Sequence, residues 1–147
     1  FEVQVFGRTS LALSARCYHA RAHGRIKDNC QFVCEEDPDG LLLTTLDREK
    51  FLCINGIQTL SYTYLNLIQE IQSLEKMGVT HFRISPHSHD IRSTASAFLD
   101  VVQKRISPEE GLSRLQSLGY NAPFSNGFYH NQAGRDWIDL SKKISAA

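Results

Sequence analysis

Residues Glu2 to Phe6 alternate polar and apolar side chains and predict a strand, stopped at Gly7. Ser10 to His23, carrying Leu11, Leu13, Ala15 and Cys17, reads as a helix or helical loop, and Gly24 to Asn29 is polar and irregular. Asp37-Pro38-Asp39-Gly40 is a turn between apolar runs, so that Leu41 to Thr45 begins a strand. Phe51 to Ile54 predicts a second short strand, closed by Asn55-Gly56. From Ser61 the period changes. Leu65, Ile68, Ile71, Leu74 and Met77 recur every three residues, with Leu67 widening the stripe, and predict an amphipathic helix ending at Gly78. Val79 to Ser85 returns to alternation and predicts a strand halted by Pro86. Asp90 to Ile106 predicts another helix. Ser107-Pro108 opens a third, with serine as N-cap and proline in the first turn, ending at Gly119. Tyr120 to Trp137, rich in asparagine, glycine and aromatics, has no clear period.

Strand and helix in alternation imply parallel pairing and an α/β architecture. The strands are too few for a closed eight-stranded barrel, which takes about 250 residues. Residues 1–147 therefore read as a single partial domain, the second half of something larger, and the first residue is Phe1 rather than methionine. Sixteen basic and sixteen acidic residues cancel without clustering, which argues against a nucleic-acid partner. No apolar run reaches the roughly 20 residues of a membrane span. With 41% hydrophobic and 22% charged residues the composition is that of a globular chain.

The chemistry lies in the cysteines. Cys17, Cys30 and Cys34 fall within eighteen residues, spaced Cys-x12-Cys-x3-Cys, while Cys53 sits apart in the apolar run Phe51-Leu52-Cys53-Ile54. Nothing suggests secretion, and a reducing, cytoplasmic setting keeps such thiols free for metal binding. Soft thiolates select zinc, copper(I) or iron–sulfur clusters. The spacing leaves open zinc, as a Cys3His site completed by His19 or His23, an iron–sulfur cluster, and ordinary buried thiols. Cys53 reads as a buried strand residue.

Other polar residues are weaker signals. Arg16 and Arg25 flank the cysteines and could offset the charge of thiolates. His81, Arg83 and Ser85 share one strand face and read as a salt-bridged strand end or a site lining. His87 and His89 read as a solvated loop in preference to a metal-binding His-x-His pair, and Phe128, Tyr129 and Trp137 as packing aromatics in preference to a cover for an aromatic substrate. No Gly-x-Ser-x-Gly or His-Glu-x-x-His motif is present, and no nucleophile has its own base.

Several runs together carry a resemblance. They are Phe1-Glu2-Val3, Phe6-Gly7-Arg8, Leu13-Ser14-Ala15-Arg16-Cys17, Asp28-Asn29-Cys30 with Cys34, Asn55-Gly56-Ile57-Gln58-Thr59-Leu60-Ser61, Arg83-Ile84-Ser85-Pro86, and Asn126-Gly127-Phe128 with Gly134. The chain resembles, over essentially its whole length, the collagenase-like peptidase family, in its anaerobic ubiquinone-biosynthesis branch. That resemblance implies the second half of a TIM-barrel-like (β/α) domain and a [4Fe–4S] cluster. It implies Cys17, Cys30 and Cys34 as three ligands, with the fourth in the missing first half and Cys53 not among them. It implies a heterodimer with the homologous cluster-bearing subunit UbiU, and dioxygen-independent hydroxylation of an aromatic ubiquinone precursor with prephenate as oxygen donor. Two alternatives stand beside it. One is a zinc-stabilised module that binds a protein, and the other is a relative that hydroxylates RNA bases, disfavoured by the zero net charge.

Overall fold

The computed structural model of the protein describes residues 1–140. The chain is mixed α/β. Its six strands, β1 (Glu2–Leu13), β2 (Leu41–Thr44), β3 (Lys50–Asn55), β4 (Gln58–Asn66), β5 (His81–Ile84) and β6 (Phe124–Ser125), form one sheet. The α-helices are α1 (Tyr18–Ala22), α2 (Ile71–Lys76), α3 (Ile91–Val102) and α4 (Pro108–Ser117). Two compact units divide the chain, one made of Phe1–Gly7 with the residues from Thr63 onward, the other of Arg8–Tyr62.

In the first unit, the start of β1 pairs in parallel with β5, Val3 opposite Phe82 and Phe6 opposite Ile84, and β4 pairs in parallel with β6. Val5 and Phe6 join Ile68, Ile71, Leu74, Phe98, Val101 and Leu115 in one buried core. At roughly 1.5–3 kcal/mol for each fully buried large apolar side chain, this core dominates the unit's stability. The helix starts follow the sequence signals, whereas α3 ends at Val102, short of the expected Ile106. Asp90 caps α3 by accepting from the Arg92 and Ser93 amides, both at 3.1 Å. Ser107 caps α4 by accepting from the Glu110 amide at 3.1 Å, with Pro108 in the first turn. Gly111 lets α4 approach closely, since a Cβ there would lie 2.6 Å from Val101 Cγ2 and 2.8 Å from Ile68 Cδ1.

In the second unit, β2, β3 and β4 form an antiparallel meander, with Leu42 opposite Cys53 and Cys53 opposite Leu60. The remainder of β1 lies beside β4, where Ser14 N–H donates to Ile57 O at 2.9 Å and the buried Arg8 guanidinium donates to Ser61 O (3.0 Å) and to Tyr62 O. The Asn55-Gly56 turn closes β3 onto β4, with Gly56 at φ 60°.

Three expectations need correction. The first strand does not stop at Gly7. That glycine takes φ 109°, which only glycine adopts freely, and pairing continues to Leu13. Consequently Ser10 to Leu13 is strand and not helix. The alternation of Leu11 and Leu13 is its period-two signature, and only Tyr18–Ala22 is helical. The three-residue stripe from Leu65 likewise does not mark one long helix. Residues 58–66, dense in aromatic and β-branched side chains, form β4, and helix begins only at Ile71, after a 3-10 turn at Ile68–Glu70. The stripe still marks the core through Leu74, whereas Met77 is exposed. Parallel pairing holds for β1–β5 and β4–β6 but not for the meander.

Candidate metal centre

The three clustered cysteines all lie in the second unit, on a segment rich in tight turns. Cys17 is the N-cap of α1, with extended backbone (φ −81°, ψ 101°), and its Sγ accepts from the Ala20 amide at 3.4 Å. A thiol so placed does the work that serine or aspartate usually does at a helix start. After α1 the chain reverses at Gly24, which takes φ 69°. Cys30 follows a 3-10 turn at Lys27–Asn29, and its carbonyl accepts from Arg25 Nη1 at 3.0 Å. Cys34 lies inside a second 3-10 turn, Val33–Glu36, anchored by the buried Val33.

Between those two cysteines, Gln31 and Phe32 both take φ 52°. Two consecutive non-glycine residues in the left-handed region cost roughly 1–2 kcal/mol each. Strain of this kind persists only where the surroundings hold it, and it concentrates at functional sites. Here it folds the Cys30–Cys34 loop sharply and leaves Phe32 exposed at the tip.

All four cysteines are free thiols, Cys17, Cys30 and Cys34 half-buried and Cys53 buried at 2% exposure. The Cys53 thiol donates to Asp39 O at 3.1 Å, and burial, partly countered by the nearby Arg8 charge, raises its pKa. A protonated, inward-facing thiol is a poor ligand. The donor set on the turns is therefore three half-buried sulfurs, a soft set suited to a thiolate-bound centre. The Cys3His zinc arrangement is not assembled. Four ligands around one zinc at about 2.3 Å place sulfurs about 3.8 Å apart. Among the described residues no trio of metal-ligating atoms that includes a cysteine lies within 4.8 Å, and the trio that does is His19, His23 and Asp37. Thiolates of a four-iron cluster each bind a different iron, so they need no such closeness.

Electrostatics around Cys17 are positive. Arg16, Arg21, Arg25 and Lys27, against Asp28, line with Cys17 a cavity of about 670 Å³. A second cavity, of about 510 Å³, is apolar, lined by Tyr18, Leu41, Leu43, Leu52 and Ile54. Arg21 borders both.

The remaining residues flagged by sequence lie in the first unit. Arg83 pairs with Glu2 at 3.2 Å on the exposed surface, and the exposed His81 bonds Thr80 at 2.9 Å, which is the salt-bridged strand reading. His87 and His89 are not a solvated loop. His87 packs edge-on against Tyr64 at 4.8 Å and His89 stacks on Tyr120 at 4.8 Å, because the loop after Pro86 lies on an aromatic cluster. Phe128 covers Gly134, Trp137 packs on Phe124 at 6.3 Å, and the Tyr129 hydroxyl bonds Ser73 at 3.2 Å. Sequence reasoning missed Glu70, buried at 2% exposure and bonded to Asn126 Nδ2 and His130 Nε2, each at 2.9 Å. A single glutamate at the edge of an apolar stripe gives no pattern that would find it.

The family model described as Peptidase family U32 matches residues 1–139. The chain belongs to peptidase family U32. Its U32 match takes in both units and every residue of the cysteine segment. No solved structure matches the chain. Within this U32 chain no helix of the described residues is long and apolar enough to cross a membrane.

Proposed function

We propose that this U32 chain is the iron–sulfur subunit of a dioxygen-independent hydroxylase of ubiquinone precursors, of the UbiV kind, working as a heterodimer with its homologue UbiU. In this reading Cys17, Cys30 and Cys34 hold a [4Fe–4S] cluster whose fourth ligand comes from outside these residues, in the other half of a TIM-barrel-like domain. The observation that carries it is the cysteine segment itself, where three half-buried free thiols share a turn-rich stretch, Cys30 and Cys34 flanking the two left-handed residues Gln31 and Phe32, while Cys53 is buried in β3. When bound, such a cluster supplies one-electron chemistry.

The chain's own residues would do the binding and positioning. Arg16, Arg21, Arg25 and Lys27 offer charge-assisted hydrogen bonds to an anionic oxygen donor, for which prephenate, with two carboxylates, is the natural choice. The open apolar cavity suits the ring of an apolar aromatic precursor. Arg21, bordering both cavities, would hold the anion beside the ring. No residue acts as a protease nucleophile in this scheme.

The test is a deletion strain complemented with Cys17→Ala, Cys30→Ala or Cys34→Ala and grown with and without oxygen. Ubiquinone should fall to the deletion level without oxygen only, since oxygen-dependent hydroxylases serve aerobic cells. Unchanged anaerobic ubiquinone in all three variants would refute the assignment.

A further inference from the structure

A second cluster of ligand atoms stands in the same segment and is chemically unlike the cysteines. His19 and His23 are four residues apart, so α1 and its C-cap present both imidazoles on one face. The rings stack at 5.4 Å with an 8° interplanar angle. Both Nε2 atoms converge on one oxygen, Asp37 Oδ2, at 3.0 and 3.1 Å. The His19 side chain is wholly buried, whereas those of His23 and Asp37 are 28% and 29% exposed. The site is thus anchored on its inner side and open on its outer side. On that inner side His19 Nδ1 is buried without a hydrogen-bond partner. Glu36 Oε2 lies 3.9 Å from His23 Nδ1, on the outer ring.

We propose that His19 Nε2, His23 Nε2 and Asp37 Oδ2 form a mononuclear site for a divalent transition-metal ion. Two imidazoles and a carboxylate are the borderline nitrogen and oxygen donors that zinc, iron(II) and cobalt(II) take, and a trio of this composition leaves coordination positions open. The spacing is right for one ion. Metal–ligand bonds of about 2.0–2.1 Å give ligand–ligand edges of about 2.9 Å at right angles and about 3.4 Å at tetrahedral angles. The two observed nitrogen–oxygen separations fall inside that window, and all three ligand atoms lie within 4.8 Å of one another. Asp37 also ends the 3-10 turn that carries Cys34, and His19 follows Cys17 by two residues. The ion would therefore tie the segments of Cys17 and Cys34 to each other.

The inference does not rest on the hydroxylase reading, and cobalt(II) separates the two. Metal-stripped, reduced full chain should bind one equivalent of Co(II) with weak visible bands and no intense near-ultraviolet sulfur-to-cobalt charge transfer. His23→Gln and Asp37→Asn, both at partly exposed positions, should each weaken that binding by at least roughly tenfold. Their far-ultraviolet circular dichroism and the count of thiols reactive to Ellman's reagent should stay unchanged. Cys34→Ala should bind Co(II) as the parent does. Strong charge-transfer absorbance at the first equivalent, lost in Cys34→Ala, would overturn the proposal in favour of a thiolate site. Equal affinity in parent, His23→Gln and Asp37→Asn would also overturn it.

Discussion

Replacing Cys53 with alanine separates a packing role from a ligand role. The side chain is 2% exposed and its Sγ donates to Asp39 O at 3.1 Å. Its surroundings cannot collapse easily, because the wall beside it is backbone: a Cβ on Gly40 would stand 2.9 Å from this sulfur and 2.7 Å from Ile54 O. Deleting one buried heavy atom from such a site costs about 0.5–1.5 kcal/mol. Losing a weak thiol hydrogen bond adds about 0.5 kcal/mol. The sum, about 1–2 kcal/mol, lowers Tm by about 3–8 °C for a chain of this size. The assay is thermal unfolding together with iron and sulfide analysis of anaerobically purified protein. Cys53→Ala should melt earlier and keep its iron. A pH series adds a second readout, because the folded thiol pKa is raised. A group protonated more firmly in the folded state contributes stability below the ordinary thiol pKa, about 8.5, and that stability is lost as pH rises above it. The parent should therefore lose more stability than Cys53→Ala between pH 8 and pH 10 or so. Iron lost from Cys53→Ala at unchanged Tm would refute this reasoning and make Cys53 a ligand.

Ser107→Ala removes the cap of α4 and should cost about 1 kcal/mol, read as a lower urea midpoint at constant slope. Gly127→Ala should destabilise more than Gly111→Ala, because its Cβ would fall 1.9 Å from the backbone oxygen of Ala133, whereas the Gly111 neighbours are side-chain methyls. Gly111→Ala itself should cost about 1–3 kcal/mol, and the two melting curves rank the pair. Hydrogen bonds from the Ser93 hydroxyl and amide hold the Asp90 carboxyl below the ordinary carboxylate range. Its contribution is therefore present above about pH 4 and lost as pH falls further. Asp90→Asn, which can still cap α3, should flatten the acid limb of the stability curve.

The helices of the C-terminal half were legible because their boundaries are written in local chemistry: Asp90, Ser107-Pro108 and Gly78 fix ends regardless of distant contacts. The N-terminal half was harder. Gly7 looks like a stop in sequence, yet it sits inside a strand, at a point where any side chain would strike Ser85 Cβ at 2.7 Å. The stripe from Leu65 to Met77 predicts core membership correctly through Leu74 but not the element, since β-branched and aromatic propensity decides residues 58–66. At the candidate centre, the cysteine spacing and the separateness of Cys53 could be read directly. The role of Asp37 could not. It belongs to a turn motif with its own local explanation, and only folding brings it onto His19 and His23.

Strand β2 lies at the margin of the sheet, paired only with β3 among the described residues, and half-exposes Leu42 and Leu43. A margin of this kind is a template for another extended backbone, and neither proline nor lysine within Leu41–Thr44 blunts it. Loss of monodisperse protein by that route is second order in protein. Halving the concentration should then quarter its initial rate, whereas a unimolecular unfolding route would leave the fraction lost per hour unchanged. Dilution of the purified chain should therefore slow this loss, and Leu42→Lys should slow it further at a position outside the lining of the apolar cavity, to which Leu43 belongs.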